Sequence, residues 1–421
     1  MSADWPALPG PTLATWAIAA CATAGVILRP ARIPEAAWAL SGALMLLVLG
    51  LLPWQEAVQA LGRGADVICF LLGMMVLAEL ARSEGLFDTL AAWAIGHARG
   101  SGARLFALVY GVGVLVTVFL SNDATAVVLT PAVHVAARRA GARPLPYLFA
   151  CALVANAASF VLPISNPANL VVFDGGMPAL MDWVRIFALP SLAAIGVTWA
   201  VLRRVFAAEL REPLHLQAEP DPLSASGRRA AWGTAAVALV LVGVSAAGVP
   251  LGVPTMLATA AAVAWVHGAK RESPWPLMRH VSWSVLALVA GLFVLVAGLE
   301  HTGVIDWLAK VLHAAAVTAP RSTAWAAGGL VGVGCNLMNN LPAGLVAGLA
   351  AQSGALPESV RAAIALGIDL GPNLSVTGSL ATILWLIALR REGEHVGALS
   401  FLRIGALAMP AALLVALALL A

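Results

Sequence analysis

Charge is scarce in this sequence: of 421 residues only 11% are Asp, Glu, Lys or Arg, while 61% are hydrophobic and the mean hydropathy is +0.91. A water-soluble fold could not cover that much apolar surface, which leaves a lipid environment. Cysteine is equally sparse. Cys21, Cys69, Cys151 and Cys335 lie far apart inside apolar stretches, with neither metal-ligand spacing nor the density of a disulfide framework. No Walker motif, dinucleotide-binding glycine loop or nucleophile elbow occurs in a plausible context, so catalysis is not indicated and no cofactor is expected. The net charge of +3 is small and spread through short loops, which argues against nucleic acid as a partner. Alternating strands of about ten residues, the mark of a membrane barrel, are missing too; runs such as 39–52 and 237–244 are continuously apolar. Helices remain.

Apolar runs of about 17 to 25 residues span a hydrocarbon layer roughly 30 Å thick. Such runs, bounded by charged or Pro/Gly-rich breaks, predict spans near 11–28, 36–52, 62–81, 146–173, 184–202, 230–248, 252–268, 281–299, 361–389 and 400–420. The first is preceded by Asp4 and by no Lys or Arg, so it lacks the basic lead of a cleaved signal peptide and is expected to stay as a helix. Two further stretches, 104–138 and 322–353, are each interrupted by a polar knot, at Ser121-Asn122-Asp123 and Asn339-Asn340. If both are re-entrant hairpins, 19 of the 24 basic residues fall on one face and only Arg63, Arg185, Lys310, Arg321 and Arg361 on the other. By the positive-inside rule the basic face is then cytoplasmic and both termini face outward. The charged stretch 203–229 reads as a cytoplasmic linker between residues 1–202 and 230–421.

Those two halves resemble each other. Gly73 and Gly85 stand twelve apart, as do Gly291 and Gly303, and each pair brackets an acid, Glu79 or Glu300. The knots follow 49 residues after Gly73, at Asn122, and 48 after Gly291, at Asn339. Further on, 152–170 lies without a gap on 365–383, placing Asn156 over Asp369. Five spans is an odd number, so the second copy must enter upside down. The predicted fold is an all-α integral membrane protein of two inverted five-span repeats, each with a re-entrant hairpin and a broken helix, an architecture that places a transport site near the midplane.

Four polar segments interrupt membrane-depth sequence: 121–125, 163–169, 339–342 and 369–379. Backbone freed by Asn, Ser, Pro and Gly is tolerated there only where it lines a cavity or the protein interior. Candidate binding residues are Ser121, Asn122, Thr125, Ser165, Asn166, Asn169, Asn339, Asn340, Asn373, Thr377, Gly378 and Ser379, whose amides and hydroxyls both donate and accept hydrogen bonds. Asp123 and Asp369 are the candidate proton-coupling residues, since an ionised carboxylate at depth costs several kcal/mol and is rarely there without a function. A fixed cap or ion-pair role is the competing reading for both. Glu79, Glu300, His134 and His301 lie nearer span ends and read as peripheral.

The runs 121–131, 165–171, 339–343, 369–373 and 378–386 resemble the bacterial arsenical pump membrane proteins (the ArsB family) of the ion transporter superfamily, and the resemblance extends over nearly the whole chain. It implies export of arsenite and antimonite across the bacterial cytoplasmic (inner) membrane, conferring arsenical resistance, by proton antiport or with a soluble ArsA-type ATPase as partner. Trivalent arsenic at neutral pH is uncharged As(OH)3, for which Asn, Ser and Thr suffice. No Arg or Lys lies in the four interruptions, which weighs against a di- or tricarboxylate. Cys151 or Cys335 could act as a thiolate trap, at the cost of slow release. The asparagine-rich tips are shared with sodium/proton antiporters, and that is the alternative function.

Overall fold

The computed structural model describes residues 10–30, 33–173, 176–214, 223–352 and 356–420, and these are almost wholly helical. The first half runs α1 (Gly10–Leu28), α2 (Glu35–Val48), α3 (Trp54–Arg63), α4 (Ala65–Ser83), α5 (Leu86–Ala98) and α6 (Gly102–Leu120). A turn at Ser121 and a π-helical stretch, Ala124–Leu129, lead into α7 (Thr130–Arg139) and α8 (Leu145–Ala157). After a break with a 3-10 turn at Pro163–Ser165 come α9 (Pro167–Val172) and α10 (Leu180–Val205). The second half runs α11 (Ala225–Ala246), α12 (Gly252–Lys270), α13 (Trp275–His280), α14 (Trp283–His301), α15 (Val304–Thr318), α16 (Pro320–Met338), α17 (Asn340–Gln352) and α18 (Glu358–Leu370). A 3-10 turn at Gly371–Asn373 then precedes α19 (Leu380–Arg391) and α20 (Ala398–Leu420).

Six of these helices, α1, α6, α10, α11, α14 and α20, are each long and apolar enough to cross a membrane, and α3 with α4, bent by 46°, makes a seventh candidate. The stretches 146–173 and 361–389, read as spans with polar interruptions at 163–169 and 369–379, are pairs of shorter helices, α8 with α9 and α18 with α19, separated by a 3-10 turn and irregular chain. α8 is apolar all round and buried from Pro146 to Ala157, as befits a helix at the centre of the bundle. α5 and α15 fall in stretches the hydropathy reading treats as loops. Their charged residues, Asp88 in one and Asp306 with Lys310 in the other, interrupt the apolar run without breaking the helix.

Up to the knots, several backbone landmarks recur at one spacing. Gly85 and Gly303 both adopt left-handed backbone, φ 76° and 78°, at the start of α5 and α15, a conformation a side chain would strain. Gly73 lets α4 approach the Thr255–Met256 backbone of α12, and Gly291 lets α14 approach Ala39–Leu40 of α2. The knots turn at Ser121 (φ 113°, ψ 161°) and Asn339 (φ 74°, ψ 153°), after which the helices restart at Asn122 and Asn340. Each of these pairs is 218 residues apart, so the register at the tips differs by one from the sequence alignment. The knot aligns by its strained turn residue, Ser in one copy and Asn in the other, and Asp123 then matches Leu341 and not Asn340. Beyond the tips, Asn166 and Ser379 share extended backbone and cap α9 and α19, accepting from the Ala168 and Thr382 amides.

The stretch expected as a linker, 203–229, is described only in part, residues 215–222 lying outside the described residues. α10 runs on to Val205, and the chain then docks on the start of α6. Leu214 donates to the Gly100 carbonyl, and Gly102 lies so close to the Leu210 carbonyl that a Cβ would sit 2.9 Å from it. Leu210 and Leu214 are buried there, which composition alone did not suggest.

Candidate functional site

The two knots and the two helix breaks meet. Asn122 and Asp123 from the first knot, Asn340 and Leu341 from the second, Asn166 and Pro167 from the first break, and Ser379, Leu380 and Ala381 from the second line one small cavity, closed by Leu71 of α4 and Val285 of α14. At about 20 Å³ it has room for about one water. A second cavity of about 90 Å³ adjoins it, sharing Leu71, Asp123, Pro167, Val285 and Leu380. It passes Ser121, Met74 and Met75 to a rim of Glu79, His280 and Ser282. Arg82 holds Glu79 with two hydrogen bonds, of 2.5 and 2.7 Å, at the exposed end of α4. Asp123 therefore looks into a passage that leads toward the end of the molecule rich in arginine. Among the described residues, no Lys or Arg lines either cavity.

The sequence-predicted residues divide into two groups. Asn122, Asp123, Asn166, Asn340 and Ser379 line the inner cavity, with Ser121 at its mouth. The others hold the irregular backbone in place. Thr125 bonds to Thr117 at 2.8 Å and to the Gly113 carbonyl, bracing the first knot against α6. Ser165 donates to the Val118 carbonyl and accepts from the Leu162 amide. Asn169 donates to the Ser159 carbonyl across the first break. Asn373 accepts from Asn156 at 3.0 Å and donates to the Leu153 carbonyl, stitching the two breaks together. Asn339 donates to the Thr377 carbonyl, the Gly378 carbonyl accepts from the Asn340 amide, and Thr377 donates to the Asn336 carbonyl.

Asp123 and Asp369 are in different situations. Asp369 is fully buried, accepts from Asn166 at 2.5 Å through one oxygen and touches neither cavity, and its other oxygen has no hydrogen-bond partner among the described residues. Asp123 borders both cavities, and no hydrogen bond or ion pair engages its carboxylate among the described residues. Of these two acids, Asp123 is the one placed to meet a solute or water. Cys151 and Cys335 are buried in helix interfaces and line neither cavity, which removes the thiolate trap. Of the four groups expected to be peripheral, Glu79 lines the passage and both it and His134 are buried, and the other three have charged partners. Glu300 pairs with Arg63, His301 meets Glu56, and His134 sits between Glu392 and Glu394.

Sequence reasoning overlooked Asn336. Its amide donates to the Gly371 carbonyl and its oxygen accepts from Ser375, so it organises the second break from α16. A lone amide one turn before the knot in an otherwise apolar helix was the available signal. The apolar walls, Leu71, Val285 and Leu380, carried none.

Residues 23–368 match the CitMHS family, described as citrate transporter. The chain belongs to that family. Among relatives of this CitMHS member, an arsenical pump membrane protein of Escherichia coli is 26% identical over 395 residues, covering 85% of this chain and 92% of that one. The arsenical pump membrane protein of strain K12 is 27% identical over 362 residues, covering 83% and 84%. The YdaH transporter of Alcanivorax borkumensis shares the fold, with TM-score 0.60 at 18% identity over 98% of both chains. MtrF of Neisseria gonorrhoeae does so with TM-score 0.53 at 14% identity, over 98% and 94%. The chain is accordingly a multi-pass membrane transporter of a small-molecule substrate and not an enzyme, with the helical fold expected of it.

Proposed function

We propose that this CitMHS-family transporter exports arsenite, as As(OH)3, and antimonite from a bacterial cytoplasm by proton antiport. The observation that carries this is the inner cavity itself: three amides, a hydroxyl and one carboxylate converge on it from both halves, without a cation. Such a set offers several donors and acceptors to a neutral trihydroxide. A citrate trianion would be drawn there by nothing but backbone dipoles. The similarity to arsenical pump membrane proteins points the same way.

In this reading the arginine-rich end is cytoplasmic, both termini are periplasmic, and residues 1–202 and 230–421 are inverted repeats joined by 203–229. The passage from Glu79 and His280 to Asp123 is then the entry route from the cytoplasm. Asn122, Asn166, Asn340 and Ser379 hold the solute, with Leu71, Val285 and Leu380 withdrawing to make room. Asp123 takes up a proton on the outward side and releases it inward. One proton moving down the potential supplies about 2.3 kcal/mol per 100 mV, enough for tens-fold accumulation. Asp369 serves the site by fixing Asn166. A partner ATPase of the ArsA type would add a second energy source on the same face.

The test is arsenite uptake into everted vesicles in sodium-free buffer, with and without a protonophore. Uphill uptake that the protonophore abolishes is expected. Arsenite-insensitive, sodium-dependent proton movement would replace this reading with the sodium/proton antiporter, whose cation Asp123 and the amide oxygens would hold.

A further inference from the structure

The spacing of 218 residues that relates the knots also relates two cavities. Met75, Ala78, Val127 and Val281 line the passage open at the arginine-rich end. Adding or subtracting 218 gives Phe293, Val296, Leu345 and Arg63, and these line a pocket at the opposite end, with Ala297, Leu349 and Val171 completing it. The two are counterparts in sequence and unequal in size, about 90 Å³ against about 10 Å³. What differs is the filling. The place of Met75 is taken by Phe293, and the position 218 residues before Ser282, which is on the open rim, is Gly64, beneath Phe293. Phe293 lies so flat on Gly64 that a Cβ added there would be 2.7 Å from the ring. The helix carrying the ring is tied to α3 by the Arg63–Glu300 pair, at 2.7 and 3.3 Å. Val127 is half-buried on the open side, and its counterpart Leu345 is 5% exposed on the closed one.

We propose that Phe293, seated on Gly64 and against Val171 and Leu345, is the seal that closes the Arg63 end of the transport path. Glycine at 64 is what lets an aromatic ring take that seat. A methionine over a serine, at the matching place, leaves the other end open. The seal must lift for solute to leave on that side, and α14 is positioned for this because the same helix supplies Val285 to the inner cavity. The assignment rests on the matched halves and on transport, and is independent of the identity of the solute.

The experiment is labelling of single added cysteines by a membrane-impermeant maleimide, from the Arg63 side in intact cells and from the arginine-rich side in everted vesicles, relative to the parent chain with its four cysteines. Val127→Cys should label from the arginine-rich side and Leu345→Cys from neither. Adding Phe293→Ala should raise labelling of Leu345→Cys from the Arg63 side at least ten-fold. Gly64→Ala should do the same, because it displaces the ring without removing it and suits the helical backbone at that position (φ −73°, ψ −10°). Phe293→Leu gives an intermediate rate and serves where the smaller side chain lowers yield. Unchanged Leu345→Cys labelling in all three variants, with Val127→Cys still reactive from its own side, would overturn the assignment. So would Leu345→Cys labelling in the otherwise unaltered chain as fast as Val127→Cys. Because no arsenite is present, failure here leaves the substrate reading untouched, and absence of arsenite transport leaves this one standing.

Discussion

The first and second halves of the chain share several backbone landmarks, yet they put their acids in unlike places. In the knots, Asp123 of the first half faces Leu341 as its counterpart; in the helices before the breaks, Asn156 of the first half answers Asp369 of the second. One carboxylate borders the cavity and the other is locked to Asn166. A shared backbone can thus present one chemically active group and one positioning group, and the sharpest way to break the comparison is to neutralise each in turn. Asp123→Asn should lower protonophore-sensitive arsenite uptake into vesicles at least 100-fold, because no other acid among the described residues lines the inner cavity. Asp369→Asn keeps an oxygen for the Asn166 amide and should cost less than ten-fold. Equal losses from the two substitutions would remove the distinction drawn between them.

A structural version of the comparison uses the glycines. At Gly73 a Cβ would meet Thr255 Cγ2 at 2.7 Å, and at Gly291 it would meet the Ala39 carbonyl carbon at 2.9 Å, so helix approach is equally tight in both halves. Gly73→Val and Gly291→Val should each destabilise by about 1–3 kcal/mol through overpacking, read as a lower Tm of the detergent-purified protein. A clear inequality would indicate that one half tolerates helix separation better.

How much of this was legible beforehand differs by feature. The knots and breaks were readable because polar residues at bilayer depth need an irregular, buried or cavity-lining backbone, and 121–125 and 369–379 stand out for that reason. α5 and α15 were not, since charged residues such as Asp88 and Lys310 look like loop ends when only hydropathy is weighed. Among the site candidates, composition could not separate Asn166, which lines the cavity, from Asn169, three residues on, which bonds backwards to Ser159. Both are asparagines in one motif, and only the direction of the side chain after the cap distinguishes them. The one-residue slip at the knots has the same origin, because alignment by residue type favoured asparagine over asparagine, whereas the chain aligns by its positive-φ residue.

Asn336 offers an intermediate test. Asn336→Ala removes bonds to Gly371 and Ser375 that brace the second break against α16, and the brace of the first break against α6, Ser165 on the Val118 carbonyl, is left intact. Net losses of about 1 kcal/mol per bond, more where a partner is left buried and unpaired, predict a Tm several degrees lower. Transport should suffer chiefly as a higher KM for arsenite, because the second break presents Ser379 to the cavity.

The smallest effect is expected at the rims. Arg82 on the open end and Glu300 on the closed end are counterparts, 218 residues apart, and each is in an ion pair. Arg82 binds Glu79 three residues back on its own helix, with His280 of α13 3.8 Å from the same carboxylate, while Glu300 reaches Arg63 on α3 at 2.7 Å. Partly exposed pairs of this kind contribute about 0–1 kcal/mol, so neither Arg82→Gln nor Arg63→Gln should shift Tm appreciably. The two should nevertheless differ in labelling of Leu345→Cys from the Arg63 side. Arg63→Gln loosens the helix that carries Phe293 and should raise the rate two- to three-fold, and Arg82→Gln should leave it unchanged. An increase with Arg82→Gln alone would mean that the open rim governs the closed one, reversing the roles assigned to the two ends.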